Sequence, residues 1–166
     1  MENITEQRIA LLHPKLRAEA MELVNNANSI LKVHSQVRVV QSIRTFAEQA
    51  ALYAQGRTTA GKIVTNAKAG QSIHNYGLAI DFALLIDDKV ISWDTHADFN
   101  QDGIPDWLEV VKVFTDNGWV WGGTWKSIKD YPHLEKSFGL TWEALLTKYN
   151  AGDTFVDTNG QKYVNI

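Results

Sequence analysis

The chain has 166 residues, 45% hydrophobic and 21% charged, with a formal net charge of −3. That length suits one ordinary domain with its own core, the composition is that of a globular rather than a disordered chain, and the acidic balance argues against a nucleic-acid partner held by surplus positive charge. It contains no cysteine, which excludes thiolate metal sites, cysteine nucleophiles and disulfides; any metal must be held by imidazole and carboxylate.

The first residues, MENITEQRIALLHPKLR, have no uninterrupted apolar core and no small-residue cleavage site. They do not read as a signal peptide, and no stretch is long enough to cross a bilayer, so synthesis in the cytoplasm without membrane insertion is expected. Leu16, Ala20, Leu23, Val24, Ala27 and Leu31 recur at helical spacing behind Pro14, which predicts a helix over roughly 14–30. Val37, Val39 and Val40 form a β-type run ending near Ile43. Thr45 and Glu48 stand in capping-box spacing and Gly56 closes the segment, giving a short helix over 46–55 with Arg44 just ahead of it. From Arg57 to Ser72 the chain reads as a long polar loop, a length that is usually functional.

Leu78 to Ile86 is apolar apart from Asp81, and Asp87-Asp88 turns it into a hairpin with 89–93. A helix follows over about 105–117, ended by Gly118, then a strand at 119–121 and a last helix at 141–149. The tail beyond residue 150 carries a turn at Thr158-Asn159-Gly160 and reads as a small hairpin set apart from a domain over 1–150. Helices mixed with mostly antiparallel strands predict a single α+β domain, a small sheet with helices packed on it.

Asp81 interrupts an apolar strand, and a buried carboxylate is costly unless it is paired or binds a metal. Gly77 lets the chain turn between His74 and Asp81, so the two side chains can converge. The spacing alone is equally compatible with a solvent-facing edge aspartate and a loop histidine. His133 follows Asp130 by three residues and could add a third ligand beside a proton-transfer group, although a charged surface loop explains 130–135 as well. Three protein ligands with a fourth position left open is the pattern of catalytic zinc. Among the remaining histidines, His13 is expected at a helix start, His34 in solvent, and His96 as a weaker rival ligand.

Together, Arg44-Thr45-Phe46-Ala47-Glu48-Gln49, Ser72-x-His74-x-x-Gly77-x-Ala79-x-Asp81, Trp121-Gly122-Gly123 and Asp130-Tyr131-Pro132-His133 resemble, in identity and order, the zinc D-alanyl-D-alanine carboxypeptidase and L-alanyl-D-glutamate endopeptidase family, which includes many phage endolysins. The resemblance runs from about Leu12 to Gly139. It implies a zinc peptidase with the metal on His74, Asp81 and His133, Asp130 as general acid/base, and Arg44 as the group that binds substrate or steadies the transition state. Gln49 and Ser72 follow as further substrate contacts. Aspartate rather than glutamate in the Asp-x-x-His element resembles the endopeptidase branch. The implied substrate is the peptidoglycan stem peptide, cut between L-Ala and D-Glu by an enzyme released through a holin-type partner; the chain is expected to act as a monomer. Removal of terminal D-alanine is the alternative reaction.

Residues 98–109 also fit a calcium-loop pattern, with Asp98, Asn100, Asp102, the Ile104 carbonyl, Asp106 and Glu109 as oxygen ligands and Gly103 at the sharp turn. No helix enters this segment and Pro105 takes the eighth place, so it is at most half an EF-hand; an Asp/Asn/Gly turn ahead of a helix explains part of it equally well. A calcium-dependent wall-binding module without turnover is therefore the alternative from outside the enzymes.

Overall fold

The structure is a computed structural model that describes residues 1–32, 34–126 and 128–166. Helix α1 (Asn3–Ile9) lies ahead of the first helix expected from periodicity and is started by Glu2, whose carboxylate accepts the Ile4 N–H. The same carboxylate reaches Arg38 at 2.7 Å and so ties the N-terminus to the sheet. Helix α2 (Pro14–Leu31) opens on His13, whose Nδ1 accepts the Lys15 N–H at 3.2 Å, and the six apolar residues read from the sequence form its buried stripe.

Strand β1 (Ser35–Gln41) leads to α3 (Phe46–Ala54), where the Thr45–Glu48 capping box forms as its spacing predicts. Strands β2 (Ala79–Ile86) and β3 (Val90–Ser92) make the expected hairpin, with both Asp87 and Asp88 in the left-handed region that this tight turn requires. Helix α4 (Asp106–Thr115) follows, then β4 (Val120–Trp121), β5 (His133–Glu135), α5 (Trp142–Asn150) and a closing hairpin of β6 (Thr154–Val156) and β7 (Lys162–Val164). Three residues of strand at β5 were not legible in the sequence, because an Asp-Tyr-Pro-His-Leu-Glu run has no alternating pattern.

The main sheet is antiparallel throughout, in the order β1-β2-β5-β4, with β3 also pairing to β2. Ile80, Phe82 and Leu84 leave one face of β2 and are fully buried with Val37 and Val39 of β1, Leu134 of β5 and the stripe of α2. Burial of such aliphatic and aromatic side chains is the main favourable contribution to folding, roughly 2 kcal/mol for each that is fully enclosed. Period-two alternation then sends Ala79, Asp81 and Ala83 to the opposite face. The sheet thus has a core face and a working face, and a one-residue slip of β2 would exchange them.

The C-terminal hairpin is held against the turn between α1 and α2. His13 Nε2 donates to the Val164 carbonyl at 3.0 Å, Arg17 pairs with Asp157 at 2.6 Å, and the Tyr163 hydroxyl donates to the Leu11 carbonyl. Among the described residues no helix is long and apolar enough to cross a membrane.

Candidate active site

The site is assembled from three pieces of backbone. A short 3-10 turn, Ile73–Tyr76, carries His74, and Gly77 ends it in the left-handed region at φ 68°, where a Cβ would also meet the His13 backbone nitrogen at 2.8 Å. Strand β2 carries Asp81, and β5 carries His133 directly opposite it in the sheet register. Asn75 fixes the first piece to the rest: its amide oxygen accepts the Gly70 and Ser72 N–H groups, and its amide nitrogen donates to the Arg44 carbonyl.

His74 Nε2 lies 3.1 Å from His133 Nδ1 and 3.2 Å from Asp81 Oδ1, and His133 Nδ1 lies 3.3 Å from the same oxygen. The outward nitrogens are both engaged. His74 Nδ1 is 2.6 Å from the Ser42 carbonyl oxygen, an acceptor only, so the proton sits on Nδ1 and the Nε2 lone pair faces inward. His133 Nε2 is 2.8 Å from the Glu135 carboxylate, which leaves its Nδ1 lone pair inward by the same reasoning. Two imidazole lone pairs and a carboxylate oxygen converging on one point repel one another unless a cation or a proton lies between them. The three ligand atoms all lie within 4.8 Å of one another, and this donor set, two nitrogens and one hard oxygen, fits zinc.

The electrostatics agree. Burial alone would raise the Asp81 pKa, but His74 and His133 hold its carboxyl well below the usual carboxylate range. Burial likewise disfavours charge on His133, yet the Asp81 and Glu135 carboxylates push it up to about 9. Positive charge is thus favoured at this cluster.

Asp130 stands at the edge of the site on a turn whose carbonyl accepts the His133 N–H, while its own N–H donates to the Gly122 carbonyl. Burial and the neighbouring Asp81 carboxylate raise its pKa. Gly122 is required here because a Cβ on it would meet the Asp130 carbonyl oxygen at 2.5 Å and the Cβ of His133 at 3.1 Å.

Arg44 reaches Asp81 at 3.6 Å, and its backbone N–H donates to the His74 carbonyl. Its Nε is buried with no hydrogen-bond partner among the described residues. Gln49 does not contact the cleft as the sequence suggested. It is fully buried, its oxygen accepting from the Arg44 guanidinium at 3.0 Å and its nitrogen donating to the Ala67 carbonyl, so its place is behind Arg44. Ser72 does line the cleft, a cavity of about 860 Å³ also lined by His74, Asp81, Asp130 and Trp125. Ser42, Asn75, Trp125 and Glu135 complete the site without having been given roles from the sequence. His96 is exposed on the surface and no part of the cluster.

The loop at 98–109 is built differently from a complete calcium cage. Asp98 accepts the Asp102 and Gly103 N–H groups, Asn100 accepts the Asp102 N–H, and Asp102 accepts the Ile104 N–H. Asp106 turns inward instead: it is fully buried, hydrogen-bonded by Ser35 and by the Phe99 N–H at 2.9 Å, and staples the loop to β1. Its expected place as a calcium ligand is thereby taken by a structural one. Burial and the Asp102 and Asp106 carboxylates push Glu109 up to about 7.

Residues 65–136 match the family model described as D-alanyl-D-alanine carboxypeptidase. The chain is 50% identical over 126 residues to the peptidoglycan L-alanyl-D-glutamate endopeptidase CwlK of Bacillus subtilis (strain 168), a match covering 75% of this chain and 72% of that protein. Its fold is similar to that of the Serratia marcescens L-Ala D-Glu endopeptidase ChiX, with a TM-score of 0.53 and 21% identity over 83% of this chain and 90% of that one. The chain belongs to the D-alanyl-D-alanine carboxypeptidase and L-alanyl-D-glutamate endopeptidase family of zinc metallopeptidases.

Proposed function

We propose that this protein is a zinc-dependent L-alanyl-D-glutamate endopeptidase acting on peptidoglycan stem peptides, with His74, Asp81 and His133 as the metal ligands. The observation that carries the reading is the convergence of His74 Nε2, Asp81 Oδ1 and His133 Nδ1 in a cleft that also exposes Asp130. Half-identity to CwlK favours the L-Ala–D-Glu bond.

His74, Asp81 and His133 would hold the zinc, which would supply a Lewis acid to polarise the scissile carbonyl and acidify water in the cleft. The chain's own residues do the remainder. Asp130 takes the proton of the attacking water on its carboxylate and delivers it to the leaving nitrogen, and burial with the Asp81 carboxylate nearby raises its pKa. Arg44 lines the cleft, and a guanidinium can grip a carboxylate of the substrate through two parallel hydrogen bonds. Ser72 and Trp125 form the cleft wall along which the peptide lies.

The test is product analysis on purified muropeptides. Separation of L-Ala from D-Glu supports the endopeptidase; release of free D-alanine alone identifies a carboxypeptidase instead. Lysis of cell walls by the wild type but not by His74→Ala or Asp130→Ala separates a lytic enzyme from a binding module without turnover. A wall-directed enzyme made in the cytoplasm needs a route out, and we include a holin-type release in the proposal, together with action as a monomer.

Calcium is a separable part of this reading. Asp98, Asn100, Asp102 and Glu109 offer side-chain oxygens around one loop, and Glu109 is buried against like charge that a cation would relieve. Asp102→Ala is expected to abolish a calcium heat in titration calorimetry while zinc stays at one per chain; an identical titration for the two proteins removes calcium from the proposal.

A further inference from the structure

Glu135 takes no proton and holds no substrate in the reaction proposed above. It stands two residues after His133 on β5, so both side chains leave the same face of the strand. Its partner on β2 is Ala79. Glu135 Oε2 sits 2.8 Å from His133 Nε2, with the two side chains only 19% and 6% exposed. Among the described residues Glu135 pairs with no lysine or arginine; the adjacent Lys136 is committed to Glu19 at 2.6 Å. A carboxylate so largely withdrawn from water is costly unless it holds a donor, and the donor it holds is His133.

We propose that Glu135 is a positioning residue for the metal centre: by accepting the Nε2–H of His133 it fixes the tautomer and the ring orientation that present Nδ1 to His74 and Asp81. The inference rests on the assignment of His133 as a ligand in the preceding subsection. The two imidazoles of the site are then held by different means. His74 is set by the Ser42 main-chain carbonyl, which no substitution at Ser42 removes. His133 is set by a side chain, so its orientation depends on one replaceable residue. The negative charge of Glu135 also makes the ring a stronger donor, and outer partners of this kind typically contribute about 10–100-fold to metal affinity.

The experiment is zinc affinity of the full chain, measured by competition with a chromophoric chelator, together with the ¹⁵N spectrum of the His133 ring in the zinc-loaded protein. Glu135→Ala is expected to weaken zinc binding by about 10–100-fold. Glu135→Gln, whose amide oxygen still accepts the Nε2–H, is expected to lose much less. The wild-type spectrum is expected to show Nδ1 metallated and Nε2 protonated, a readout that does not depend on any variant folding. Zinc binding by Glu135→Ala as tight as in the wild type, or a His133 ring metallated through Nε2, overturns the inference. If His74→Ala loses zinc while Glu135→Ala keeps wild-type affinity, only the positioning role fails; a wild-type chain that binds no zinc removes the ligand assignment as well.

Discussion

Asp81 and His133 are direct cross-strand partners on the working face of the sheet, with Asp81 Oδ1 3.3 Å from His133 Nδ1. Two of the three proposed ligands are therefore placed by backbone pairing rather than by a loop, and their separation is set by the spacing of neighbouring strands. His74 alone comes from a turn, and that turn is anchored by Asn75 and by the Ser42 carbonyl. Placement by strand pairing restricts where these side chains can go, which reduces the ordering cost of binding.

From this placement, Asp81→Ala is expected to leave the sheet intact and to remove the only carboxylate of the cluster. Zinc content should fall well below one per chain, and hydrolysis of the stem peptide should fall on the order of 10³-fold. Metal analysis by mass spectrometry alongside a turnover assay checks both. A variant that keeps full zinc and full activity would contradict the ligand assignment.

Asp130→Asn separates proton transfer from metal binding. The amide has nearly the same shape and can keep the turn next to His133, but it cannot accept a proton. Zinc content should stay at one per chain while kcat drops by about 10²–10⁴-fold, the usual worth of a general acid/base. Equal kcat in the two proteins would move the proton-transfer role to another group.

The sequence carried the three residues that converge at the site through its family resemblance, and most helices through side-chain type and spacing. The stripe of α2 follows from period 3.6, and the α3 start from a capping box that forms as spaced. It did not carry what depends on backbone or on three-dimensional direction. The Ser42 acceptor is a carbonyl, which every residue has, so no pattern could mark it. Gln49 was legible as part of the Arg44 segment, but whether its amide faces the cleft or the interior depends on how α3 lies against Ala67. Asp106 fitted a calcium spacing, yet its carboxylate goes to Ser35, a partner 71 residues away. Strand β5 exists because β2 and β4 flank it, not because of its own propensity.

The position of Gln49 gives a prediction of its own. Gln49→Leu fills the same space but removes the acceptor of the Arg44 guanidinium and leaves the Ala67 carbonyl unpaired. A cost of about 1–3 kcal/mol in unfolding free energy is expected for the buried group left unsatisfied. The freed arginine should also raise KM for the stem peptide while zinc content is unchanged. An unaltered KM would show that Arg44 is held in place without Gln49.

Gly122 offers a steric test of the Asp130 turn. A methyl group there would meet the Asp130 carbonyl oxygen at 2.5 Å, so Gly122→Ala must displace either β4 or the 130–133 turn. Overpacking of this kind costs roughly 1–3 kcal/mol. Turnover is expected to fall more than tenfold at a temperature where the variant remains folded by circular dichroism, because the displaced segment carries Asp130 and His133 together. Full activity in a folded variant would mean that the turn tolerates the shift.

His13 sets the pH dependence of the C-terminal hairpin. Burial, with Lys15 and Arg17 nearby, lowers its pKa below the ordinary 6.5, although the bond to the Val164 carbonyl works in the other direction. An unfolded chain takes up a proton on this ring as pH falls through 6.5, while the folded chain resists. The neutral ring therefore contributes stability that is fully present above the ordinary value and is lost as pH falls through the depressed folded value. Protonation would also remove the Nδ1 lone pair that accepts the Lys15 N–H and starts α2. Amide exchange in 162–166 should consequently accelerate between pH 7.5 and pH 5 relative to the slowing expected from intrinsic chemistry. In His13→Gln, which has an amide in place of the titrating ring, that acceleration should be absent. Equal pH profiles for the two proteins would show that His13 does not control how the hairpin docks.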